Sequence, residues 1–285
     1  MTAIRMDGRA LAAKVRAQVA EEVKVFGGSV CLATILVGDD PASHIYVDRK
    51  HGAAAEAGIE TRDHRLARDT PESAVLDLVA ELNADEEVDG ILVQLPLPAH
   101  MDEPAVTRAV DPAKDVDGFH PLNAGLLYLG KPHLVPATPL GVMAMLAEYG
   151  VELKGRESVV IGRSEIVGKP MAMLLLAEHA TVTICHSRTV DLAEHTRRAD
   201  VLVAAAGRSG LVTPEMVKTG ATVIDVAMNR TDAGLVGDVD PAVFEVAGLM
   251  TPVPGGVGPM TIAMLLRNTL TAAQHRRSGV ALPGS

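Results

Sequence analysis

The stretch VVIGRSEIVGKPM, residues 159–171, joins a short apolar run to a second one through a polar turn that contains two glycines. The first run is typical of a buried β-strand, and Pro170 suits the first turn of a helix that opens near Gly168. Such a turn aims backbone N–H groups and the positive end of a helix dipole at an anion. Its G-x5-G spacing differs from GxGxxG, so an ordinary tight turn is an equal alternative. Either way, the stretch predicts a strand–turn–helix unit of an α/β fold.

Strands and helices alternate on both sides of this unit. The earlier series predicts strand VCLATILVG, a helix stopped by Gly58, strand IETRDHRL, a helix over 71–83 and strand VDGILVQL. The later series predicts helix LGVMAMLAEYG, strand SVVIG, a helix from about Val167 to His179, strand TVTIC, a short helix near 191–197, strand VLVAAAG, helix TPEMVKTG and strand TVIDVAM. Alternation of this kind requires crossover connections and parallel strands, with helices covering the faces.

The chain of 285 residues is long enough for two domains, each with its own core. A segment rich in Pro, Asp and Gly, residues 111–139, is typical of a hinge. The last amphipathic helix, GPMTIAMLLRNTLTAAQ, is expected to return to the first domain, and a loose tail is expected after His275. The predicted domains are 1–138 with 260–285, and 139–259, with a site in the cleft between them.

Composition narrows the possible functions. The net charge is −10, and no basic stripe with interleaved aromatic residues occurs, so nucleic acid is not an expected partner. Aliphatic runs such as MAMLLLA are too short to cross a bilayer, and no signal peptide is recognised, so a soluble cytoplasmic protein without a membrane partner is expected. Cys31 and Cys185 lie in apolar runs typical of buried thiols, and the ten histidines show no ligand spacing. We therefore expect neither a disulfide nor a metal site.

The strand after the glycine turn ends in TICHSRT, where an NAD-selective site often carries Asp or Glu. Here His186, Ser187 and Arg188 occupy that place. Together with Arg163 of the turn they offer two guanidinium groups and a hydroxyl to a 2′-phosphate, which favours NADP over NAD. The alternative is a solvated basic turn.

In SHIYVDRK, residues 43–50, one of only three tyrosines lies four residues before a lysine. On a helix Tyr46 and Lys50 share a face, where the ring can stack on a flat heterocycle and a desolvated ammonium can move a proton. An amphipathic surface pair is the alternative. Gln94 ends the apolar strand GILVQLPLP, at the edge where α/β ligands bind, and an ammonium would suit its amide. Asp117 in KDVDGFHP could hold an amino-pyrimidine edge, although Asp-Gly is also a common turn pair.

The stretch TPVPGGVGPMT, residues 251–261, combines three prolines with three glycines just before the final helix. Proline fixes the backbone path and glycine removes side chains, which favours a rigid loop that admits a ligand against bare backbone. A plain interdomain linker is the alternative.

Seven of these stretches together resemble the bifunctional methylenetetrahydrofolate dehydrogenase/cyclohydrolase family. They are VGDDPASHIYVDRK, GILVQLPLP, DPAKDVDGFHPLNAG, PATPLGVMAML, VVIGRSEIVGKPM, TVTICHSRT and TPVPGGVGPMTIAML, in family order from about residue 30 to 266. The resemblance implies NADP-dependent oxidation of 5,10-methylenetetrahydrofolate to the methenyl form, then hydrolysis to 10-formyltetrahydrofolate. It also implies a place in one-carbon metabolism and purine biosynthesis, tetrahydrofolate derivatives as substrates, and a homodimer formed through the Rossmann-like second domain.

The resemblance also implies roles for individual residues. Catalytic roles fall to Lys50 in the cyclohydrolase step, Gln94 beside it, Tyr46 against the folate and Asp117 at the pterin edge. The implied substrate-binding residues are Tyr46, Lys50, Val93, Gln94, Leu95, Asp117, Pro252, Gly255, Gly256, Gly258 and Pro259. The implied cofactor-binding residues are Gly162, Arg163, Ser164, Gly168, Ser187, Arg188 and Met228.

Some positions depart from the family pattern, chiefly on the cofactor side. Ala137 stands where cysteine is common, Ala227 and Met228 where Gly-Ile is common, and AAAGRSG at 204–210 replaces a Gly-Lys or Gly-Gln-Pro turn. Three rival functions remain: an enzyme with only one of the two activities, an amino-acid or hydroxy-acid dehydrogenase, and a non-catalytic NADP-binding sensor. The second leaves the first-domain residues unexplained, and the third would bind dinucleotide without turnover.

Overall fold

The computed structural model describes residues 2–232 and 234–279. Contacts divide the chain into two compact units. The Gly162 unit comprises Met1–Ala12 and Thr138–Thr261, and the Lys50 unit comprises Ala13–Ala137 and Ile262–Ser285. None of the helices in the described ranges is long and apolar enough to cross a lipid bilayer.

Strands and helices alternate through most of the chain. The strands are β1 (Ile4–Arg5), β2 (Cys31–Val37), β3 (Glu60–Leu66), β4 (Gly90–Val93), β5 (Glu157–Ile161), β6 (Thr181–Cys185), β7 (Val201–Ala204), β8 (Thr222–Asp225), β9 (Asn229–Thr231), β10 (Gly234–Val236) and β11 (Leu249–Met250). The α-helices are α1 (Gly8–Phe26), α2 (Pro41–Glu56), α3 (Glu72–Ala84), α4 (Glu103–Ala109), α5 (Pro121–Tyr128), α6 (Ala137–Glu148), α7 (Gly168–Ala177), α8 (Leu192–Thr196) and α9 (Val257–Arg277). Two short 3-10 helices span Pro214–Met216 and Pro241–Glu245.

The Lys50 unit contains a three-stranded parallel sheet in the order β3-β2-β4. Every residue of the central strand β2 is buried. Helix α3 buries Val75, Val79 and Leu82, a spacing that gives one apolar helix face, and these side chains join the core of β2 and β4. Each such buried side chain stabilises the fold by about 1.5–3 kcal/mol. Their packing fixes the ends of β2 and β4, where polar residues follow.

The Gly162 unit contains a six-stranded sheet in the order β1-β11-β8-β7-β5-β6, with every pair parallel. Strands β7 and β8 are buried along their whole length, which explains why they read as continuous apolar runs. Strand β5 ends at Ile161, and its partners β7 and β6 end at Ala204 and Cys185. The turns that follow these three strands therefore lie at the same edge of the sheet. The parallel α/β organisation predicted from the sequence is confirmed.

Both cysteines are buried free thiols, as predicted. Burial raises the pKa of each thiol above its usual value. Cys31 packs in the core of the Lys50 unit and Cys185 in that of the Gly162 unit. They behave as small hydrophobic side chains.

The start of the chain groups differently from the predicted first domain. Residues 2–12 belong with the Gly162 unit because β1 pairs in parallel with β11, with Ile4 opposite Leu249. A two-residue strand carries too little periodicity to be recognised in the sequence.

Three local predictions need correction. Residues 213–220 form only a short 3-10 helix, Pro214–Met216, because the chain must turn directly into β8. The segment predicted as a hinge, residues 111–139, contains α5, whose first turn is capped by the side chain of His120. Helix α9 continues past His275 to Arg277, since Arg276 binds Asp89 and Arg277 the backbone of Ser29; residues 280–285 of the predicted tail lie outside the described chain.

Candidate functional site

Helix α2 carries Tyr46 and Lys50 on one face. The helix begins at Pro41, and the carboxylate of Asp40 accepts hydrogen bonds from the backbone N–H and the hydroxyl of Ser43, at 2.9 and 2.8 Å. Buried Val47 packs the helix inward, and Tyr46 and Lys50 are partly buried beside it. The cap and the apolar contacts fix the direction of Lys50.

The structure brings Lys50 to Gln94. Strand β4 ends at Val93, which is 6% exposed, and the backbone N–H of Gln94 donates to Ile35, at 2.9 Å. The Lys50 Nζ donates to the Gln94 Oε1 at 3.0 Å, and the Gln94 Nε2 donates to the backbone oxygen of Leu95 at 2.6 Å. The second bond orients the amide with its oxygen towards the ammonium group. The amide–ammonium contact expected from the sequence is therefore present.

Asp117 is the charged partner of this pair. Burial raises the pKa of Asp117 to about 6, an effect that Lys50 opposes and Asp115 reinforces. Burial likewise lowers the pKa of Lys50, and Asp117 opposes that change. Removal from water disfavours both charged forms, so the pKa of each group is closer to neutral pH than it would be in solvent. A lysine and a carboxyl group with such shifts can exchange protons with a bound reactant.

A second aspartate fixes the turn that carries Asp117. Asp115 is 5% exposed, and its carboxylate accepts from the backbone N–H of His120 at 2.8 Å and from the amide of Asn123 at 2.9 Å. Gly118, with φ +72°, packs so closely that a Cβ there would lie 2.6 Å from the backbone of Val135. Asp117 thus lies between the hydrogen-bonded Asp115 and the closely packed Gly118.

The glycine turn of residues 162–168 is tightly packed in the Gly162 unit. Gly162 has φ +137°, and a Cβ there would lie 2.4 Å from the backbone oxygen of Ala205. A Cβ at Gly168 would lie 2.3 Å from the backbone oxygen of Gly162. The hydroxyl of Ser164 accepts from the N–H groups of Val167 and Gly168, at 3.2 and 3.3 Å, where α7 begins. Only glycine fits the first and last positions of this turn.

A cavity of about 360 Å³ lies at the ends of β5, β6 and β7. Its lining is Ile161, Gly162, Arg163, Ser164, His186, Ser187, Thr189, Leu192, Ala205, Ala206, Arg208 and Leu211. Four predicted cofactor residues, Gly162, Arg163, Ser164 and Ser187, therefore meet at one cavity. Its size, glycine backbone and basic side chains fit part of a phosphorylated nucleotide.

Three other predicted cofactor residues lie outside this lining within the described chain. Gly168 begins α7 behind the turn. The backbone N–H of Arg188 donates to the Nδ1 of His186, at 3.1 Å. Met228 follows β8, and its sulfur lies 3.5 Å from the position that a Cβ would take at Gly258.

Close backbone packing inside the Gly162 unit explains glycines in residues 251–260. A Cβ at Gly256 would lie 2.6 Å from the backbone oxygen of Pro252, and Gly255 has φ +108°. Gly258 and Pro259 lie in the first turn of α9. Close backbone packing therefore accounts for Gly256, and both the rigidity of this segment and its contact with a substrate stay predictions.

Two buried aspartates, which sequence reasoning missed, organise the loops beside the cavity. Asp238 is 0% exposed, and its carboxylate accepts from the N–H groups of Ala206, Gly207 and Arg208, at 2.6, 2.9 and 2.6 Å. Asp225, at the end of β8, accepts from the N–H groups of Asp238 and Val239, at 3.0 and 2.9 Å. Asp225 therefore holds the backbone of Asp238, and Asp238 holds the loop after β7.

Burial raises the pKa of Asp225 to about 6, although its backbone hydrogen bonds oppose the change. The only sequence signals for these two aspartates are a carboxyl group that ends an apolar strand and an Asp three residues before a proline. Both patterns are common in loops.

The two units together define a nucleotide-dependent enzyme: one carries a phosphate-type cavity at the end of a parallel sheet, and the other a partly buried Lys–Gln–Asp cluster. The tetrahydrofolate dehydrogenase/cyclohydrolase catalytic-domain model matches residues 6–117, and the NAD(P)-binding-domain model of the same family matches residues 136–277. The chain belongs to the tetrahydrofolate dehydrogenase/cyclohydrolase family, which confirms the resemblance seen in the sequence.

Individual relatives agree. Bifunctional protein FolD 3 of Rhizorhabdus wittichii is 57% identical over 98% of this chain and 95% of its own length. The crystal structure of the bifunctional enzyme FolD from Campylobacter jejuni superposes with a TM-score of 0.93 at 47% identity, covering 96% of this chain and 99% of that one. The Trypanosoma brucei FolD structure, complexed with NADP cofactor and inhibitor, gives a TM-score of 0.92 at 41% identity, covering 99% and 100%.

Proposed function

We propose that the protein oxidises 5,10-methylenetetrahydrofolate to 5,10-methenyltetrahydrofolate with NADP+ and hydrolyses the methenyl form to 10-formyltetrahydrofolate. The family supports both activities, and the observation that carries the proposal is the 3.0 Å hydrogen bond from Lys50 to Gln94 beside Asp117. This partly buried cluster gives the chain a group for proton transfer that a simple nucleotide-binding protein would not need.

The oxidation step requires alignment more than acid–base chemistry. Bound NADP+ supplies the hydride acceptor. Gly162, Arg163, Ser164 and Ser187, which meet at one cavity, hold the nucleotide. Tyr46 packs its ring against the folate, and Asp117 accepts hydrogen bonds from the amino-pyrimidine edge. A fixed orientation of both rings accounts for catalysis, because loss of hydride leaves a resonance-stabilised cation.

The hydrolysis step requires proton handling at Lys50. Water adds to the methenyl carbon and releases one proton, and the bond from that carbon to N5 then breaks as N5 takes the hydroxyl proton of the adduct. Lys50, with a pKa lowered by burial, accepts or donates these protons, and Gln94 orients its ammonium group. The products are 10-formyltetrahydrofolate and one proton.

Replacing Lys50 with Met tests this division of labour. We expect the variant to lose cyclohydrolase activity by at least about 100-fold, the usual contribution of acid–base catalysis, while hydride transfer to NADP+ continues at a measurable rate. Methenyl product should then accumulate beside NADPH. Lys24→Met, which removes an exposed lysine paired with Glu21, is the matched control and should change neither rate by more than about twofold. Equal loss of both activities in a folded Lys50→Met protein would contradict the role of Lys50.

The remaining site residues follow the same proposal. Val93 and Leu95 flank Gln94 at the end of β4, and Pro252, Gly255, Gly256, Gly258 and Pro259 line the folate and nicotinamide region. The proposed homodimer rests on the family resemblance, and the proposed cytoplasmic location is the expectation from the sequence. Light scattering would test the first, and cell fractionation the second.

A further inference from the structure

The cavity of the Gly162 unit is strongly one-sided in charge. Arg163, His186 and Arg208 line it from the turns after β5, β6 and β7. Among the described residues, its lining includes no aspartate or glutamate. Such a cavity favours a ligand with more than one anionic group. The sequence suggests Arg163 and Arg188 as the two guanidinium groups for a 2′-phosphate, whereas in the structure Arg163 and Arg208 line the cavity.

The backbone of Arg208 is held in place by a buried anchor. Three consecutive N–H groups, those of residues 206–208, donate to the Asp238 carboxylate, and Asn229 donates to it at 3.0 Å. Asp238 is itself held through its backbone by Asp225. The loop therefore cannot shift without breaking several charge-assisted hydrogen bonds, and only the exposed side chain of Arg208 remains free to adjust.

The position of Arg208 matches one part of the nucleotide. In a sheet of this kind the pyrophosphate meets the glycine turn, and the 2′ position of the adenosine ribose meets the end of the next strand, here β6 with Ser187. Arg208 lines the same cavity as Ser187 and His186. A guanidinium group binds a phosphate through two parallel hydrogen bonds, which an exposed loop arginine can offer.

We propose that Arg208 is a further specificity-determining residue, which binds the 2′-phosphate of NADP+ together with Ser187, and that Asp238 is the positioning residue that presents it. The inference rests on the proposed use of NADP+. It assigns a function to the sequence AAAGRSG, which departs from the common family turn at this place. Selection of NADP+ over NAD+ then depends on a loop anchored by Asp238 as well as on the strand end at Ser187.

Equilibrium binding of NADP+, NAD+ and adenosine 2′,5′-bisphosphate to the whole protein, followed by calorimetry, tests the proposal without any turnover. In Arg208→Ala we expect the Kd for NADP+ and for the bisphosphate to rise about tenfold, while the Kd for NAD+ changes by less than about twofold. Arg208→Lys should recover part of the loss, because it keeps the charge but not the paired hydrogen bonds. Arg230→Ala, an exposed arginine of β9 in the same unit, is the control and should leave all three values unchanged.

Two results would overturn the proposal. Equal weakening of NADP+ and NAD+ by Arg208→Ala would assign Arg208 to another part of the nucleotide, and no change in any Kd would remove it from the site. Failure of the unsubstituted protein to bind NADP+ more tightly than NAD+ would instead contradict the proposed cofactor, so the two failures are distinguishable.

Discussion

Asp117 and Asp225 both follow or end buried segments, and burial raises the pKa of each to about 6, yet their surroundings differ in kind. Asp117 lies in a cluster of side chains, opposite the Lys50 ammonium group that binds Gln94. Asp225 accepts hydrogen bonds from two backbone N–H groups and begins a relay that reaches Arg208 through Asp238. The first arrangement leaves charged groups for a substrate, whereas the second uses charge to hold a loop. A raised pKa alone therefore does not distinguish a reactive carboxyl group from a structural one.

The largest effect expected from this difference concerns stability. Asp238→Ala leaves the backbone N–H groups of residues 206–208 without their carboxylate acceptor, so we expect the free energy of unfolding to fall by about 3 kcal/mol in a urea titration. NADP+ binding should weaken as well. Asp117→Ala removes a carboxyl group whose ionised form is disfavoured by burial, and it should lower the free energy of unfolding by less than about 1 kcal/mol.

The neighbouring Asp240 provides the control for Asp238. Its carboxylate accepts from the N–H of Ala242 at 2.8 Å, at the start of a 3-10 helix, so Asp240→Ala should cost only the loss of a cap, about 1 kcal/mol. An Asp238→Ala protein as stable as Asp240→Ala would show that the loop after β7 does not depend on its buried anchor.

A smaller effect concerns pH and the folate. In the proposed folate complex Asp117 is ionised and accepts two hydrogen bonds from the pterin edge, and its pKa of about 6 means that the ionised fraction falls as pH drops through that value. The KM for methylenetetrahydrofolate should therefore rise about tenfold from pH 7 to pH 5. The Asp117→Asn variant should have a high KM that does not change between pH 7 and pH 5. This variant distinguishes titration of Asp117 from titration of the folate itself.

Stability should change with pH in the opposite direction. The pKa of Asp117 in the folded protein is raised above its usual value, so its contribution to stability is fully present at low pH and is lost as pH rises through about 6. The slope of unfolding free energy against pH should be smaller in Asp117→Asn. A KM that stays constant in the unsubstituted protein between pH 5 and 7 would contradict the assignment of Asp117 to the pterin edge.

The sequence predicts what side chains in regular elements do. The i, i+4 spacing of Tyr46 and Lys50 is sufficient to place both on one face of α2, and the apolar run before Gln94 is sufficient to place it at a strand end. The parallel sheets follow from the alternation of strands and helices. For these residues the local sequence pattern is sufficient to predict the position of the side chain on its helix or strand.

The sequence does not predict how distant backbone groups meet. Asp238 contacts residues 206–208 across about 30 positions of chain, and no periodicity connects them. The pairing of β1 with β11 spans almost the whole chain through only two residues on each strand. Which of Arg188 and Arg208 lines the cavity also depends on such contacts, because both arginines follow strands that end at the same edge of the sheet.

The most direct measurement is one spectrophotometric progress curve with methylenetetrahydrofolate and NADP+, following NADPH and the methenyl intermediate together, repeated with NAD+. We expect NADPH to form with NADP+ preferred over NAD+, and the methenyl form to be converted to formyl product faster than it hydrolyses spontaneously. Accumulation of the methenyl form, with hydrolysis no faster than the spontaneous reaction, would contradict the hydrolytic role of the Lys50 cluster. Absence of both signals with either cofactor, in folded protein, would contradict the proposed function as a whole.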